Sequence, residues 1–244
     1  GRAPKLAIIL VGDDPASVQY VNSKKKSCSA IGIDCDLHIL PNSIRQEELI
    51  KVIEGLNQDD TIDAILVQLP VPKHIDRNAI LSAIDYRKDV DGLHPMNVGL
   101  LNSSQKGVIP CTPRGIISLL KEEGIEITGK HCVVIGRSNL VGKPMAQLML
   151  NENASVTICH SKTRDLAALT RQAEILIIAI GCPNLVTAEM LNEGAVVIDV
   201  GINNVDGKLV GDIYNSIDVS GIETQAAVIS PVPGGVGPMT MAPL

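Results

Sequence analysis

The sequence predicts a two-domain α/β protein built on parallel sheets, and three observations support this. Aliphatic, strand-like runs alternate with amphipathic segments of helical length along most of the chain, which is the pattern of βαβ units. The length of 244 residues exceeds the usual size of one domain. Residues 85–113 are rich in Gly, Pro, Asn and Ser without periodicity, which predicts a long functional loop that crosses between domains.

The first domain is predicted to contain strands at residues 6–11, 35–40 and 64–69. The turn at residues 12–15 supplies an N-cap and a first-turn proline for a helix that ends near Ile31. Ser43, with Gln46 three residues later, forms a capping box that is expected to open the next helix.

The second domain is predicted to start with a helix that Thr112 caps, with Pro113 at its first position, and that runs to Glu123. Strands are expected at residues 131–135, 156–159, 175–180 and 196–200, with a further buried strand at residues 226–229. Residues 231–240 contain three glycines and three prolines, a density that excludes a helix or a central strand and predicts a rigid, ligand-holding loop. The alternative interpretation of this run is a tight turn or linker.

Bulk composition excludes several classes of function. A net charge of -6 and 1% aromatic residues argue against a nucleic-acid partner, and no apolar run approaches the length of a membrane span. The six cysteines form no C-x-x-C pair and the five histidines lack metal-ligand spacing, so no metal is expected. Cys132 and Cys159 lie inside apolar strand patterns and are interpreted as small buried residues. Buried free cysteines indicate a reducing compartment, the cytosol or an organelle matrix.

A strand, a glycine turn and a helix follow one another from His131 to about Leu150. The turn Gly136-Arg137-Ser138 would let a phosphate approach the backbone, and the helix N-terminus would offer unpaired amides. Ser138 stands where the dinucleotide fingerprint G-x-G-x-x-G has its second glycine, so the motif alone fits a plain helix start equally well.

The end of the next strand favours NADP over NAD. NAD sites normally carry an acid there for the ribose hydroxyls, whereas this chain has His160-Ser161-Lys162. Ser161, Lys162 and the nearby Arg137 would accept a 2′-phosphate that an acid would repel. The alternative is that Arg137 and Lys162 are solvated surface charges.

Tyr20 and Lys24 lie four residues apart and share a face of the first predicted helix. Lys24 falls inside the apolar arc of that helix and Lys26 points away, but Lys25 lies near the edge of the arc. A lysine directed inward has its pKa lowered by desolvation, which suits proton transfer near neutral pH. The other interpretation is a solvated run of three lysines.

Polar residues near the third strand strengthen the first interpretation. Gln68 interrupts an apolar run near the carboxyl end of that strand, where open α/β sheets bind their ligands; a satisfied core glutamine is the alternative. Asp89 and Asp91 lie two residues apart and would face the same way in an extended loop, unless they form a turn or a salt bridge.

Taken together and in order, these segments resemble the methylenetetrahydrofolate dehydrogenase/cyclohydrolase family over essentially the whole chain. Several are weak individually, but their combination is highly specific. The segments are Tyr20-Val21-Asn22-Ser23-Lys24, Val67-Gln68-Leu69-Pro70, Lys88-Asp89-Val90-Asp91-Gly92, Pro110-Cys111-Thr112-Pro113, Gly136-Arg137-Ser138, Gly201-Ile202-Asn203 and residues 231–240.

The resemblance implies a folate-binding catalytic α/β domain at residues 1–112 and a Rossmann-like NADP-binding domain at residues 113–230. Residues 231–244 would return to the catalytic domain. It further implies a cytoplasmic homodimer that binds tetrahydrofolate derivatives between the domains, and most relatives carry an additional helix before the position of Gly1 and after Leu244.

The resemblance also implies roles for single residues. Lys24 would be the central catalytic group, hydrogen-bonded to Gln68, with Tyr20 near the pterin and Asp91 on its amino-pyrimidine edge. Further substrate contacts would come from Val67, Leu69, Pro233, Gly234 and Gly235. NADP contacts would come from Gly136, Arg137, Ser138, Ser161 and Ile202.

The implied chemistry is hydride transfer from 5,10-methylenetetrahydrofolate to NADP, followed by hydrolysis of the methenyl product to 10-formyltetrahydrofolate. Two other classes of function share the glycine turn. One is a different NADP-dependent dehydrogenase, similar to shikimate or amino-acid dehydrogenases, which would not need the set of Tyr20, Lys24 and Gln68. The other is a nucleotide-binding module that does not turn over substrate.

Overall fold

The computed structural model describes residues 1–213 and 226–239, and the chain divides into two compact units. The first unit is Gly1–Val108 and the second is Ile109–Leu244. Each unit contains a parallel sheet flanked by helices, which confirms the predicted α/β class. The return of residues 231–244 to the first domain stays a prediction, and residues 240–244 lie outside the described part of the chain.

The first unit contains a three-stranded parallel sheet in the order β2, β1, β3. Its elements are β1 (Lys5–Val11), α1 (Pro15–Ala30), β2 (Asp34–Leu40), α2 (Gln46–Gln58), β3 (Ala64–Val67), α3 (Arg77–Ala83) and α4 (Pro95–Asn102). Each of the three predicted strands is confirmed, with ends that differ from the prediction by two residues at most.

Local sequence explains how α1 begins and ends. The Asp14 carboxylate accepts a hydrogen bond from the Ser17 backbone N–H at 2.9 Å, and Pro15 occupies the first helical position. After the helix, Gly32 adopts a φ of 79°, and the Ile33 N–H donates to the Cys28 carbonyl. The helix therefore starts and stops where the sequence predicted.

The core of the first unit is aliphatic and covers both faces of β1. Ala7, Ile9 and Val11 pack in one cluster with residues of α2, β3 and α3, among them Ile53 and Ile80. The alternating residues Leu6, Ile8 and Leu10 are also buried. A strand buried on both faces needs apolar residues at successive positions, which explains the continuous aliphatic run in the sequence of β1.

The predicted capping box of Ser43 and Gln46 is wrong. The helix begins at Gln46, and the Glu48 carboxylate reaches back to accept the Arg45 backbone N–H at 3.1 Å. The Glu48 carboxylate thus satisfies the backbone amide of the N-cap residue, and that residue is Arg45 rather than Ser43.

Residues 85–113 are not the irregular loop that their composition predicted, because they contain α4 and the start of a further helix. Pro95 takes the first position of α4, and the His94 Nδ1 accepts the Met96 backbone N–H at 3.0 Å. His94 itself lies in a bend just before this helix, as its N-cap residue. The side chain of a histidine replaced the usual Ser, Thr or Asp cap, so the helix start was not visible as such.

The second unit contains a five-stranded parallel sheet in the order β10, β7, β6, β4, β5, and an antiparallel hairpin of β8 and β9. Its elements are α5 (Cys111–Glu122), β4 (His131–Ile135), α6 (Gly142–Asn151), β5 (Ser155–Cys159), α7 (Leu166–Thr170), β6 (Ile175–Ile178), a 3-10 turn (Ala188–Met190), β7 (Ala195–Asp199), β8 (Asn203–Val205), β9 (Lys208–Val210), β10 (Ala226–Ile229) and α8 (Val236–Met239).

Three predictions for this unit need correction. The first helix begins at Cys111 after Pro110, so Thr112 is not its N-cap and Pro113 is not its first residue. Strand β10 forms, but it is an edge strand with Val228 exposed rather than a buried strand. Residues 236–239 form one helical turn although Gly237 and Pro238 lie within it, because a proline in the first turn of a helix lacks only an N–H that has no intrahelical partner.

The cysteines behave as expected within the structure. None of the six forms a disulfide, and Cys132 and Cys159 are buried in strands β4 and β5. Burial raises the pKa of the Cys132 thiol to about 12. In the described ranges, no helix has the length and apolar character needed to cross a bilayer, and no group of three or more metal-ligating side chains occurs.

The aliphatic core of the first unit makes a stability prediction. Ile53 on α2 has no exposed surface, so Ile53→Ala leaves a cavity and is expected to cost about 2–5 kcal/mol of unfolding free energy. Its exposed neighbour on the same helix provides the control, and Glu54→Ala is expected to change the unfolding free energy by less than about 0.5 kcal/mol. Urea denaturation followed by circular dichroism measures both, and equal midpoints for the two variants would contradict the assigned packing.

Candidate functional site

Lys24 lies on the inward face of α1, together with Ser17, Val21 and Cys28. These residues are spaced four, three and four apart, which places them on one side of a helix. The other three are buried and Lys24 is half-buried, whereas Lys25 and Lys26 are exposed. The structure therefore separates the three lysines that the helical wheel alone left ambiguous.

A hydrogen bond joins Lys24 to Gln68. The Lys24 Nζ donates to the Gln68 Oε1 at 3.3 Å, and the Gln68 Nε2 donates to the Leu69 carbonyl at 2.7 Å. The second bond uses an amide donor, so it leaves the amide oxygen turned towards the ammonium. Because the Gln68 backbone N–H also donates to the Ile9 carbonyl, the end of β3 holds this side chain in register with the sheet.

Asp91 lies within electrostatic reach of Lys24. Burial raises the pKa of the Asp91 carboxyl, the positive charge of Lys24 lowers it, and the negative charge of Asp89 raises it further. Asp91 is half-buried, and the net direction of its pKa is upward. The first unit thus brings an ammonium, an amide and a carboxyl group of raised pKa together.

The segment that carries Asp91 forms turns, which is the alternative to an extended loop that the sequence left open. The Asp89 Oδ2 accepts hydrogen bonds from the His94 N–H and the Asn97 Nδ2, both at 2.8 Å, and Asp89 is fully buried. Asn97 also donates to the Tyr86 carbonyl at 2.8 Å. The sequence interpretation missed Asn97, since an asparagine inside a loop-like stretch carries no signal of burial.

The other substrate residues expected in the first unit differ in exposure. Tyr20 is 54% exposed on α1, so its ring is available to a ligand. Val67 is buried in the aliphatic cluster, where its side chain packs with the core. Leu69 is half-buried, and its carbonyl already accepts the Gln68 amide.

In the second unit, the glycine turn packs closely against its own backbone and against the residue after β6. A Cβ on Gly136 would overlap the Ala179 carbonyl, and a Cβ on Gly142 would overlap the Gly136 carbonyl. The Ser138 Oγ accepts the Val141 and Gly142 backbone N–H groups at 3.1 and 3.3 Å, at the start of α6. Ser138 therefore interacts with the helix N-terminus from the position where the fingerprint has a glycine.

The remaining residues expected to contact a cofactor are exposed at the carboxyl ends of parallel strands. Arg137 follows β4, Ser161 and Lys162 follow β5, and Ile202 follows β7. Carboxyl ends of strands in an open α/β sheet meet at one edge, which is where ligands bind. No acid occupies the position after β5, in agreement with the preference for a 2′-phosphate.

Residues 231–235 form a turn that leads into α8. Pro233 and Gly234 are exposed, and the Gly235 N–H donates to the Pro231 carbonyl at 2.9 Å. A Cβ on Gly235 would lie 2.5 Å from that carbonyl oxygen, so the turn depends on glycine. Thr240, the last residue of the predicted loop, lies outside the described residues.

Gly142 provides a test of the turn. An added methyl group would lie 2.5 Å from the Gly136 carbonyl carbon and 2.8 Å from the Arg137 nitrogen, and neither backbone atom can move cheaply. Gly142→Ala is expected to weaken NADP binding about tenfold or more, measured by titration calorimetry. Gly55→Ala on α2, where a methyl group meets nothing within 4 Å, serves as the control. Unchanged NADP affinity in Gly142→Ala would exclude this turn from the cofactor site.

Comparison with known families gives a match for each of the two units. Residues 1–91 match the family model of the tetrahydrofolate dehydrogenase/cyclohydrolase catalytic domain, and residues 110–244 match that of the tetrahydrofolate dehydrogenase/cyclohydrolase NAD(P)-binding domain. The bifunctional protein FolD of Exiguobacterium sibiricum is 54% identical over 241 residues, which cover 99% of this chain and 86% of that relative.

Solved structures show the same relationship. The bifunctional enzyme FolD of Campylobacter jejuni has a TM-score of 0.95 and 50% identity, over 99% of this chain and 85% of that one. The Trypanosoma brucei dehydrogenase-cyclohydrolase, solved in complex with NADP cofactor and inhibitor, has a TM-score of 0.91 and 40% identity, over 100% of this chain and 84% of that one. The chain belongs to the tetrahydrofolate dehydrogenase/cyclohydrolase family.

Proposed function

We propose that the protein oxidises 5,10-methylenetetrahydrofolate to the methenyl compound with NADP and then hydrolyses that compound to 10-formyltetrahydrofolate. The observation that carries the proposal is the hydrogen bond between Lys24 and Gln68, beside Asp91, in a chain of this family. The E. sibiricum and C. jejuni relatives carry the name of bifunctional enzymes, and the T. brucei relative was solved with NADP.

Asp91 is proposed to bind the amino-pyrimidine edge of the folate. A carboxyl group pairs with that edge through two hydrogen bonds, and the turns fixed by Asp89 and Asn97 support this segment. The exposed ring of Tyr20 supports its proposed place beside the pterin. The backbone of Val67, Leu69, Pro233, Gly234 and Gly235 is proposed to supply the other substrate contacts.

The oxidation depends on alignment rather than on acid–base groups. When bound, NADP supplies the acceptor of the hydride, and the protein must hold the folate carbon against it in reacting geometry. The close-packed glycines let the turn fold tightly on neighbouring backbone at the start of α6, and the N-terminus of that helix favours an anion such as a phosphate group. We propose that Gly136, Arg137, Ser138, Ser161 and Ile202 bind the cofactor.

The hydrolysis needs a proton carrier. Water adds to the methenyl carbon, and its oxygen becomes the formyl carbonyl by losing both protons. One proton is released to solvent, and the other passes to the ring nitrogen as the carbon–nitrogen bond breaks. An amine held by an amide on the inner face of α1 suits both transfers, because its position relative to the reacting carbon is restricted. We therefore assign Lys24 the role of proton carrier and Gln68 the role of holding it.

The assembly and the cell compartment are proposed as well. We propose a homodimer, which the exposed apolar residues Leu150 on α6 and Ile158 on the edge strand β5 support. A cytoplasmic location is supported by six cysteines without a disulfide. We keep residues 1–112 as the catalytic domain, residues 113–230 as the NADP-binding domain and residues 231–244 as the return segment.

The direct test is to mix the protein with 5,10-methylenetetrahydrofolate and NADP and to follow NADPH by its absorbance. NADPH formation is the expected result. A dehydrogenase similar to shikimate or amino-acid dehydrogenases would give none with this substrate, and a nucleotide-binding module would bind NADP without turnover. Either of these outcomes would overturn the proposed function.

Replacing Lys24 tests the hydrolysis separately. Lys24→Met keeps much of the side-chain volume but removes the proton carrier, so hydrolysis of the methenyl compound is expected to fall at least about a hundredfold. Lys26→Met, on the exposed face of the same helix, is the control and should hydrolyse it like the parent. Hydrolysis by Lys24→Met at the parent rate would contradict the assigned role.

Cofactor choice can be tested at the end of β5. Ser161→Asp places an acid where the 2′-phosphate is proposed to bind, so KM for NADP should rise about tenfold or more, while KM for NAD changes little. Ser155→Asp, at the opposite end of the same strand, adds the same charge away from the site and serves as the control. An equal effect on both cofactors in Ser161→Asp would place the 2′-phosphate elsewhere.

A further inference from the structure

Two buried acids in the second unit have no part in the mechanism proposed above. Asp199 is 2% exposed and Asp212 has no exposed surface. Residues 1–213 and 226–239 provide no ion pair for either carboxylate. Burying a carboxylate is costly unless hydrogen bonds satisfy it. The hydrogen-bond donors around Asp199 and Asp212 therefore identify the backbone segments that these two acids hold.

Asp212 accepts hydrogen bonds from the loop that follows β6. Its Oδ2 accepts hydrogen bonds from the backbone N–H groups of Ile180 and Gly181. Its Oδ1 accepts one from the backbone N–H of Cys182 and one from the side-chain Nδ2 of Asn203, and each of the four distances is 2.9 Å. Three successive amides that converge on one anion form a nest, which fixes the conformation of their loop. The fourth bond ties this loop to residue 203, after β7.

Asp199, the last residue of β7, holds the other side of this arrangement. Its Oδ1 accepts the N–H groups of Gly201 at 2.9 Å and Asp212 at 3.0 Å, and its Oδ2 accepts the Ile213 N–H at 3.0 Å. Burial raises the pKa of Asp199 and the charge of Asp212 adds to the rise, while these backbone bonds oppose it. Asp199 thus positions the backbone of Asp212, which in turn holds residues 180–182.

Glycines allow the two loops to approach the carboxylates. A Cβ on Gly201 would overlap the Asp212 carboxylate, and a Cβ on Gly211 would overlap that of Asp199. The loops therefore pack directly on the acids, with no space for a side chain between them. Small displacements of either acid must move these loops.

The loops in question lie at the ligand-binding edge of the sheet. Strands β6 and β7 are neighbours, and the Ala179 carbonyl packs against Gly136 of the glycine turn. Ile202 presents an apolar side chain that is 53% exposed, and the residues on either side of it, Gly201 and Asn203, are each bonded to one of the two acids. The acids thus determine where this exposed side chain stands.

We propose that Asp199 and Asp212 are positioning residues for the nicotinamide cofactor, which hold residues 180–182 and Ile202 in the conformation that aligns the cofactor for hydride transfer. This inference rests on the proposed function. It predicts different effects on the two reactions, because hydride transfer needs an aligned cofactor and hydrolysis of the methenyl compound uses none.

Asp212→Asn is the critical variant, because all four groups around Asp212 are donors. An amide must turn its NH₂ towards two of them in either orientation, so at least two bonds are lost without a change of size. We expect KM for NADP to rise on the order of tenfold, and KM for 5,10-methylenetetrahydrofolate and the hydrolysis rate to stay within about twofold of the parent.

Asp199→Asn is expected to act in the same direction but less strongly. Its amide can keep the oxygen towards Gly201 and Asp212 and lose only the bond from Ile213. Asp206→Asn is the matched control, since it removes one negative charge at the exposed turn of the hairpin formed by β8 and β9, and should behave like the parent.

Because one chain is proposed to carry out both oxidation and hydrolysis, measuring the two activities in each variant distinguishes the possible outcomes. A selective rise in KM for NADP, larger in Asp212→Asn than in Asp199→Asn, supports the proposal. Parental KM values in Asp212→Asn overturn it, and so does a parallel loss of oxidation and hydrolysis, which would give the acids a purely structural role. A parent protein without either activity would instead reject the proposed function itself.

Discussion

The contact between the Lys24 ammonium and the Gln68 amide is the interaction on which the rest of the first unit depends. It requires α1 to turn one lysine inward and β3 to end one residue before the glutamine. A half-buried ammonium is stable only with polar partners, and Gln68 and Asp91 provide them. The aliphatic core around β1 keeps both elements in place, so packing and chemistry are linked at this point.

The second unit solves a different problem, which is to pack loop backbone closely at the carboxyl ends of its parallel strands. It does so by removing side chains, at Gly136 and Gly142 in the turn and at Gly201 and Gly211 beside the buried acids. Close packing without side chains leaves the backbone free to change conformation, and the hydrogen bonds to Asp199 and Asp212 restrict it again. We thus propose that proton transfer and cofactor alignment rest on different units.

Errors in the sequence interpretation lie where one hydrogen bond decides a boundary. The start of α2 moved from Ser43 to Gln46 because Glu48 satisfied the first amide, and α4 was missed because a histidine capped it. Such caps are chosen among several polar side chains within reach, and a linear sequence does not show which one is closest.

The sequence by itself determined the α/β class, the strands, the glycine turn and the family, because these follow from hydrophobic periodicity and from motifs in a fixed order. It placed Lys24 and Gln68 in one site only through a resemblance. Tertiary structure alone decided that Lys24 rather than Lys25 turns inward, that Asn97 is buried and that two buried acids accept the backbone amides of the loops after β6 and β7. The reason is physical, since burial and hydrogen-bond partners depend on residues that the chain brings together from other elements, 44 positions apart for Lys24 and Gln68 and 32 for Asp212 and Ile180.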